Sequence, residues 1–466
     1  MKPEDFEAPL DPFSEYAMSV ENDAYPKTDF TQLQFKGKVD AAALAEAHDE
    51  ALRLVPMFSS HLVESRRGMF YQPRWVFDRE VKNRLRIEDC RHMAGDPFDP
   101  MDFSTRYYAL RTRRRIDLTR EFPFNCSLLR VADDEYIFSI LYHHSCMDAL
   151  KAYRYLTRLF AGYHEKVTGS RPEWGESQGM AALNRKGEMV KPVSMARFAR
   201  EQLADVWWRN RSGKVSNVAC PNRRDYREVR GRHSIRAVID DPAALDQIFE
   251  RTRRNEATLN DLLFAVARRS LSRWNEEHDV SHDRFRFMLI TSLWGRTRLP
   301  EDAGAGVSGL NFVSAGHGHE DMDPLIRFFR DTRRDQLRRG IDIRFHDAMR
   351  RIVGAMRVFP MRRRARVMNP IANSIPCTFY LSNLGVVWPR FENGRPTMDS
   401  EILGAGDFMI SDIHSSASIG RRLGFGLTTR IHNRRLYLNF VADRFRFHKP
   451  EVQEMVDRFV NCLEGG

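Results

Sequence analysis

The sequence predicts a mixed α/β protein, and three observations support that class. Segments with the two-residue periodicity of strands alternate irregularly with segments of helical periodicity. No internal repeat of roughly 20–50 residues is visible, which argues against a solenoid or a propeller. The chain has 466 residues, a length expected for two or three domain-sized units or for one large two-lobed enzyme.

The first part of the chain shows four clear elements. Residues 30–35 alternate apolar and polar side chains, which predicts a strand, and residues 41–54 carry apolar side chains on one helical face. Residues 124–131 and 136–144 predict a hairpin around an Asp-rich turn. A helix is expected from about 149 to 164, directly after the hairpin.

A change in composition divides the chain. Apolar periodicity lapses between about 167 and 193, where Gly, Ser, Glu and Lys are frequent. We therefore expect an N-terminal lobe over 1–175, a linker over 176–194 and a C-terminal lobe over 195–466.

The second lobe is expected to begin its regular structure with two helices. Asp241 before Pro242 predicts a capped helix start. Another helix is expected over 260–274, with Thr258 or Asn260 as its cap. Strands are expected over 285–291 and 378–381, and the latter is followed by a predicted turn at 382–385. A late hairpin is expected from 423–429 and 435–441.

Composition excludes several classes of protein. Apolar residues make up 42% of the chain and charged residues 29%, as in ordinary globular proteins. No apolar run reaches the roughly 18 residues of a membrane span, and the acidic start lacks the apolar core of a secretory signal. Six scattered cysteines without a CxxC pair fit a reducing compartment, so we expect a cytoplasmic location.

The net charge of +11 is mostly due to arginine. One cluster is Arg111, Arg113, Arg114 and Arg115, and the other is Arg362, Arg363, Arg364 and Arg366. Two interpretations stay open: a solvated face, or a surface that attracts an anionic partner such as an acidic carrier protein or a phosphorylated cofactor. Nucleic acid is not expected as a partner, because no aromatic RNA-binding motif, finger spacing or basic tail is present.

Two adjacent histidines at the end of a strand are the candidate catalytic groups. Because side chains alternate along a strand, His143 and His144 point to opposite faces. One can therefore be structural while the other faces a cavity. A histidine whose tautomer is fixed by a backbone acceptor is neutral near pH 7, as a general base requires. On the pair alone the alternative is a buried structural pair, with Asp148 as an ordinary helix cap.

The sequence around the pair resembles a known superfamily. The segments 116–119, 122–124 and 128–131 precede an apolar strand and the motif His143-His144-Ser145-Cys146-Met147-Asp148-Ala149. This order resembles condensation domains and chloramphenicol-acetyltransferase-like enzymes, a superfamily that includes polyketide-associated acyltransferases and wax-ester synthases. The superfamily motif is His-His-x-x-x-Asp-Gly, and Ala149 keeps a small residue at its last position.

The resemblance extends over most of the chain, through segments 30–56, 257–261, 291–296 and 380–385. It implies two chloramphenicol-acetyltransferase-like lobes that form a pseudo-dimer with a central tunnel. The Asp-Phe-Gly-Trp-Gly motif of the plant branch is absent, so the chain is not a close relative of that branch.

The resemblance also implies an acyl transfer in which motif residues His143, His144 and Asp148 form the catalytic set. His144 is expected to be the general base, and Asp148 to form a structural salt bridge with Arg296. Ser382 or Asn383 is the expected oxyanion donor. The donor substrate would be an acyl-CoA or a phosphopantetheine thioester of an acidic acyl carrier protein, and the acceptor a small alcohol or amine. No permanently bound cofactor is expected.

Two other functions remain as alternatives. One is a condensation-type enzyme that forms an amide between carrier-bound substrates in trans, and the other is a catalytically silent family member that binds a carrier. Covalent catalysis by Cys146 is not favoured, since the x positions of the motif vary in the family. His317, His319 and Glu320 could bind a metal ion, but a polar loop is favoured because no third cluster of metal ligands is apparent in the sequence. Gly424-Phe425-Gly426 lacks the strand–glycine–helix context of a dinucleotide site.

Overall fold

The protein is mixed α/β, as the sequence predicts. The computed structural model describes residues 5–93, 114–172, 174, 193–201, 215–221, 231–281, 283–293, 306–315, 321–372, 377–393, 395–420 and 423–465. The expected linker over 176–194 lies outside these residues except for Val193 and Ser194.

The strands follow one another along the chain and are numbered in that order. They are β1 (Glu7–Pro9), β2 (Thr28–Gly37), β3 (Ser60–Arg67), β4 (Phe70–Phe77), β5 (Arg86–Asp89), β6 (Phe124–Arg130), β7 (Glu135–His143), β8 (Arg232–Ile239), β9 (Arg284–Ser292), β10 (Val307–Ala315), β11 (Cys377–Val386), β12 (Pro389–Glu392), β13 (Arg395–Ser400), β14 (Gly404–Ala405), β15 (Phe408–Ser416), β16 (Leu423–His432) and β17 (Arg435–Asp443).

The α-helices are numbered in the same way. They are α1 (Pro12–Val20), α2 (Ala41–Arg53), α3 (Ala149–Thr168), α4 (Pro242–Arg254), α5 (Leu259–Glu277), α6 (Met322–Arg338), α7 (Ile341–Met356), α8 (Met361–Ala372) and α9 (Lys449–Glu464). Short 3-10 turns occupy Pro56–Ser59 and Arg91–Met93.

The first sheet has the strand order β14-β15-β2-β7-β6-β5 in the described part of the chain. Its centre is the antiparallel pair of β2 and β7, in which Thr28 faces His143 and Asp29 faces Tyr142. Strand β7 is buried along almost its whole length, as its apolar sequence predicts. Strands β14 and β15 come from the late part of the chain, and β15 pairs with β2.

The second sheet has the order β10-β9-β11-β16-β17-β8 among the described residues. Its central strand β11 runs parallel to both β9 and β16, and the other pairs are antiparallel. Helices α5, α6 and α9 pack together beside this sheet, whereas α2 and α3 pack together beside the first. Each sheet with its helices has its own apolar core, which gives the two lobes that the sequence predicts.

Helix starts follow the local sequence closely. Asp241 caps α4 by accepting hydrogen bonds from the backbone of Ala243 and Ala244, and Thr258 forms a capping box with Asp261 at the start of α5. Such caps satisfy backbone N–H groups that have no partner within the helix. The prediction that α3 ends near residue 164 is too short by one turn, because its cap is Gly169 in the left-handed region at φ 74°.

The predicted turn at 382–385 is wrong, because β11 continues through it to Val386. Strand β16 pairs with β11 on one side, with a register shift between Asn383 and Val386. Backbone groups of β16 therefore pair with the backbone of residues 382–386, where the sequence predicted a turn over 382–385. The late hairpin is confirmed, and it turns at Asn433 and Arg434, both with positive φ.

Gly426 on β16 makes room for an aromatic side chain of the neighbouring strand. It lies opposite Tyr380 on β11, and a Cβ at this position would overlap the Tyr380 ring. Gly426, in the segment Gly424-Phe425-Gly426, therefore serves the packing of Tyr380 and not the binding of a phosphate.

We expect Gly426→Ala to destabilise the protein by about 1–3 kcal/mol, because the methyl group forces the Tyr380 ring and its neighbours to shift. Urea unfolding measures the change. Gly354→Ala in α7 is the matched control, since nothing lies within 4 Å of its added Cβ. This helical substitution should stabilise by about 0.5–1 kcal/mol. Equal stability of Gly426→Ala and the wild type would contradict the packing role.

Candidate active site

A cavity of about 330 Å³ lies between the two sheets. Its lining comes from α1, β2 and the start of α3 in the first lobe, and from β9, β10, β11, β16, α7 and α8 in the second. Both His144 and Asp148 of the motif line it. The strand pairing of both sheets therefore brings segments from the whole chain to one place.

The floor of the cavity is one face of the second sheet. Met288 on β9 lies beside Tyr380 on β11, and Ser382 on β11 lies beside Thr428 on β16. Alternate residues along a strand share a face, so these four side chains point to the same side and all line the cavity.

His143 is a buried structural group. The backbone N–H of Ser145 donates to its Nδ1 at 3.1 Å, and Nε2 lies 3.3 Å from Oε1 of Glu21. Because Nδ1 accepts a hydrogen bond, the ring proton belongs on Nε2, toward the carboxylate. His143 therefore holds the loop after β7 against the segment after α1, and it does not face the cavity.

Glu21 is held in its charged form beside His143. Burial alone would raise the pKa of Glu21, but the interaction with His143, the charge of Arg115 and the backbone N–H of Lys27 lower that pKa to about 2. The Arg115 Nε lies 3.1 Å from Oε2, and the Lys27 N–H lies 2.9 Å from Oε1.

His144 has the opposite environment. Its side chain is 26% exposed, it lines the cavity, and Phe13 packs edge-on against its ring at 5.0 Å. Nδ1 lies 3.2 Å from the carbonyl oxygen of Met147 and 3.4 Å from Oδ2 of Asp29. Both neighbours are acceptors, so Nδ1 carries the ring proton and Nε2 keeps its lone pair. This arrangement suits a general base that acts through Nε2.

Asp29 is a site residue that the sequence analysis did not identify. It lies in β2 opposite Tyr142, is almost fully buried and lines the cavity beside His144. The sequence signal was a carboxylate directly before an apolar strand, where an acidic residue is usually taken for part of a loop. Only the pairing of β2 with β7 shows that this carboxylate lies within the sheet.

Asp148 fixes the start of α3 and contacts the other lobe. Its Oδ1 accepts from the backbone N–H of Lys151 at 2.8 Å, as a helix cap does. Its Oδ2 accepts from the backbone N–H of Gly306 at 2.9 Å, just before β10. The predicted partner Arg296 lies outside the described residues, so the salt bridge stays a prediction.

The two oxyanion candidates lie within β11, and both line the cavity. The side-chain amide of Asn383 donates to Oδ1 of Asn260 at 2.8 Å, and its Oδ1 accepts from the backbone N–H of Gly385 at 2.8 Å. Asn383 is thus held in the structure of its own lobe. Ser382 is the better placed of the two donors, beside Thr428 on the cavity floor.

The remaining chemical candidates do not form a second centre. Cys146 is fully buried, and burial raises the pKa of its thiol far above the usual range, which disfavours a thiolate nucleophile. Across the part of the chain that the structure describes, no three metal-ligating side chains cluster together. His317, His319 and Glu320 lie outside that part. None of the described helices is long and apolar enough to cross a membrane.

Comparisons with known proteins show what the chain is similar to. The family model described as Condensation domain matches residues 28–283. The chain is 26% identical over 246 residues, 50% of its length, to the isonitrile lipopeptide synthase of Mycobacterium tuberculosis. The match covers 8% of that protein, so this chain spans only a small part of its relative.

Solved structures show the same fold at low identity. Polyketide synthase associated protein 5 from Mycobacterium tuberculosis gives a TM-score of 0.62 at 14% identity, with 98% of this chain and 97% of that chain covered. A mutant starter condensation domain of rhizomide synthetase, in complex with C8-CoA, gives a TM-score of 0.63 at 14% identity, with 98% and 94% covered.

The lowered pKa of Glu21 predicts how acid affects the fold. Since the pKa is about 2 in the folded state and 4.5 ordinarily, the ionised carboxylate stabilises the fold fully above pH 4.5. That contribution is lost as the pH falls from 4.5 toward 2. We expect Glu21→Gln to be destabilised at pH 6 and to approach the wild type as the solution is acidified. Urea unfolding at several pH values measures this convergence.

Glu46→Gln provides the control, because Glu46 is an exposed residue of α2 with a side chain that is 70% accessible. It should follow the wild type at every pH. The free energies of unfolding of Glu21→Gln and the wild type could instead differ by the same amount down to pH 3. That result would show that the charge of Glu21 does not stabilise the fold.

Proposed function

We propose that this chain, which belongs to the condensation-domain family, transfers an acyl group from a thioester to a hydroxyl or amine acceptor. The donor is an acyl-CoA or a carrier-bound phosphopantetheine thioester. The observation that supports the proposal most is the cavity position of His144, with two oxygen acceptors at Nδ1. This environment leaves Nε2 available to take a proton.

In the proposed reaction, Nε2 of His144 takes the proton from the acceptor as its oxygen or nitrogen attacks the thioester carbonyl. A tetrahedral oxyanion forms, and the Ser382 hydroxyl is proposed to donate to it. When the intermediate collapses, the carbon–sulfur bond breaks and the thiolate takes the proton back from His144. Both substrates are held together, so an acyl-enzyme is not required.

Asp29 supports the base without exchanging protons with substrate. Its carboxylate faces Nδ1 at 3.4 Å, so it stabilises the imidazolium that forms during attack. The carbonyl oxygen of Met147 keeps the Nδ1 proton in place at the same time. Asp29 is therefore proposed as a positioning residue, and Asp148 as the group that fixes the loop between β7 and α3.

Turnover should depend on His144. We expect His144→Ala to lower the rate of thiol release from acyl-CoA substrates by about 100- to 10,000-fold, because the general base is lost. The acceptors would be pooled alcohols and pooled amines, which also distinguishes ester from amide formation. Thermal unfolding should be nearly unchanged, because the His144 side chain lines the cavity and is 26% exposed, so water can replace it beside Asp29.

His92→Ala is the control, because His92 is exposed and outside the cavity lining. Persistent turnover in purified His144→Ala would remove the assignment of the base. If wild-type protein releases no thiol from any acyl-CoA, the same comparison is repeated with acyl carrier protein thioesters. Failure with both donors would favour the silent, carrier-binding alternative.

The donor side of the cavity carries an exposed basic surface. Helices α7 and α8 contribute Phe345, Met349 and Asn369 to the cavity lining. Their exposed residues form what we name the α7–α8 surface: Arg350, Arg351, Ile352, Arg362, Arg363 and Arg366. In the described part of the chain, none of these arginines has a carboxylate within ion-pair distance. An acidic carrier protein or the phosphates of CoA would complement this surface.

We expect the triple variant Arg362→Glu/Arg363→Glu/Arg366→Glu to raise KM for a carrier-bound acyl donor about tenfold at low salt, with the effect shrinking as salt screens it. A short acyl thioester of N-acetylcysteamine, which lacks phosphates and carrier, should react with unchanged kcat/KM. Steady-state kinetics with both donors measure the difference.

The control Arg53→Glu/Arg120→Glu/Arg273→Glu changes the net charge equally at exposed positions outside α7 and α8. If both triple variants raise KM for the carrier-bound donor equally, then the total charge of the protein, and not the α7–α8 surface, determines that KM.

A further inference from the structure

Arg430 is a buried cation in the wall of the same cavity. It lies on β16 opposite Tyr437 of β17, is 2% exposed and lines the cavity. The proposed reaction gives this side chain no task. Burying a guanidinium is costly unless a carboxylate compensates its charge.

Its contacts are all with neutral groups. Nη1 donates to the hydroxyl of Tyr153 at 2.8 Å, and Nη2 donates to the hydroxyl of Ser415. Burial raises the pKa of Tyr153, against the opposing effect of Arg430, so the phenol stays neutral. Nε of Arg430 is buried and has no acceptor among the described residues.

Arg364 is a fully buried arginine with a carboxylate partner, and it provides one comparison for Arg430. It lies 3.2 Å from a carboxylate oxygen of Glu15. The buried Arg268 donates to the hydroxyls of Ser314 and Ser272, but it is not part of the cavity lining. For Arg430, the described residues provide no carboxylate within ion-pair distance. Because Arg430 also lines the cavity, a ligand bound there can supply the anion that compensates its charge.

Hydroxyl groups complete a site beside Arg430. Ser415 and Thr428 both line the cavity, and their hydroxyl oxygens lie 3.4 Å apart. Thr428 is the register neighbour of Ser382 on the floor. A guanidinium with one open N–H and nearby hydroxyls matches the geometry of a carboxylate, which accepts several hydrogen bonds in a plane.

The Arg430 site lies across the cavity floor from α7. Helix α7 packs on β10, and β10 is separated from β16 by β9 and β11. Three strand spacings amount to about 14 Å. Strand β10, on which α7 packs, and Arg430 therefore lie at opposite sides of the floor.

We infer that the acceptor carries a free carboxylate, which Arg430 binds together with Ser415 and Thr428. The acceptor class is then a small 2- or 3-hydroxy acid or an amino acid, whose hydroxyl or amine attacks while its carboxylate stays unreacted. This inference rests on the proposed acyl transfer. The products of the reaction are then O-acyl hydroxy acids or N-acyl amino acids, each with a free carboxylate.

Binding to the turnover-deficient variant His144→Ala separates this inference from the proposed reaction. The probes are lactate, 3-hydroxybutyrate, L-leucine and L-phenylalanine, each compared with its uncharged methyl ester, and the readout is calorimetry. We expect at least one acid to bind far more tightly than its ester. Adding Arg430→Met to this variant should weaken the binding of that acid about 10- to 100-fold, because a charge-assisted hydrogen-bonded pair is lost.

The melting temperature of Arg430→Met tests for a purely structural role. If the buried charge serves a ligand, replacing it with an apolar side chain of similar length should leave the melting temperature unchanged or raise it. A large fall in melting temperature would overturn the inference, because Arg430 would then serve to join the lobes through Tyr153. Arg430→Lys keeps the charge without the planar fork, and it should bind the acid more weakly than the wild type.

Three further outcomes would overturn the inference. The first is that methyl esters bind as tightly as acids, and the second is that no acid of the panel binds. The third is that inorganic phosphate displaces the acid and binds more tightly, which would assign the site to a phosphate group instead.

Discussion

The antiparallel pairing of β2 with β7 is the constraint on which the rest of the site depends. It places Asp29 within the sheet beside the end of β7, so that Oδ2 faces Nδ1 of His144 at 3.4 Å. The backbone N–H of His144 donates to the carbonyl oxygen of Lys27 at 2.7 Å, which ties the same two segments together. Without this register the imidazole would lose one of the two acceptors that hold its proton on Nδ1, and only the Met147 carbonyl oxygen would orient the base.

The two histidines of the motif show how alternation along a strand separates structure from chemistry. His143 is enclosed with Glu21 and Ser145 and anchors the loop. His144 faces the cavity and keeps one nitrogen without a proton. The second lobe contributes the other half of the site: a floor with Ser382 and a buried cation, Arg430, whose charge the described residues leave uncompensated. Proton transfer is thus assigned to the first lobe, and acceptor recognition to Arg430 and Thr428 of the second sheet together with Ser415 of the first.

Local sequence was sufficient for the motif and for a minority of the helices and strands, because periodicity and caps are short-range signals. The hairpin of β6 and β7 and the cap at Asp241 are examples. The roles of Asp29 and Arg430 depend on pairing between distant segments, and no local pattern contains that information. The turn predicted at Ser382 failed for the same reason, since strand β16 supplies partners that extend β11.

The central claim is that Nδ1 of His144 carries the proton and Nε2 is the base. Nitrogen-15 NMR of the histidine-labelled protein near pH 7 tests it directly, with the His144 signals assigned by their loss in His144→Gln. The account predicts a neutral ring with Nδ1 protonated, and a change of tautomer or exchange between tautomers in Asp29→Asn. A neutral His144 with its proton on Nε2 in the wild type would contradict the account, because the lone pair would then face Asp29 and Met147 instead of the substrate.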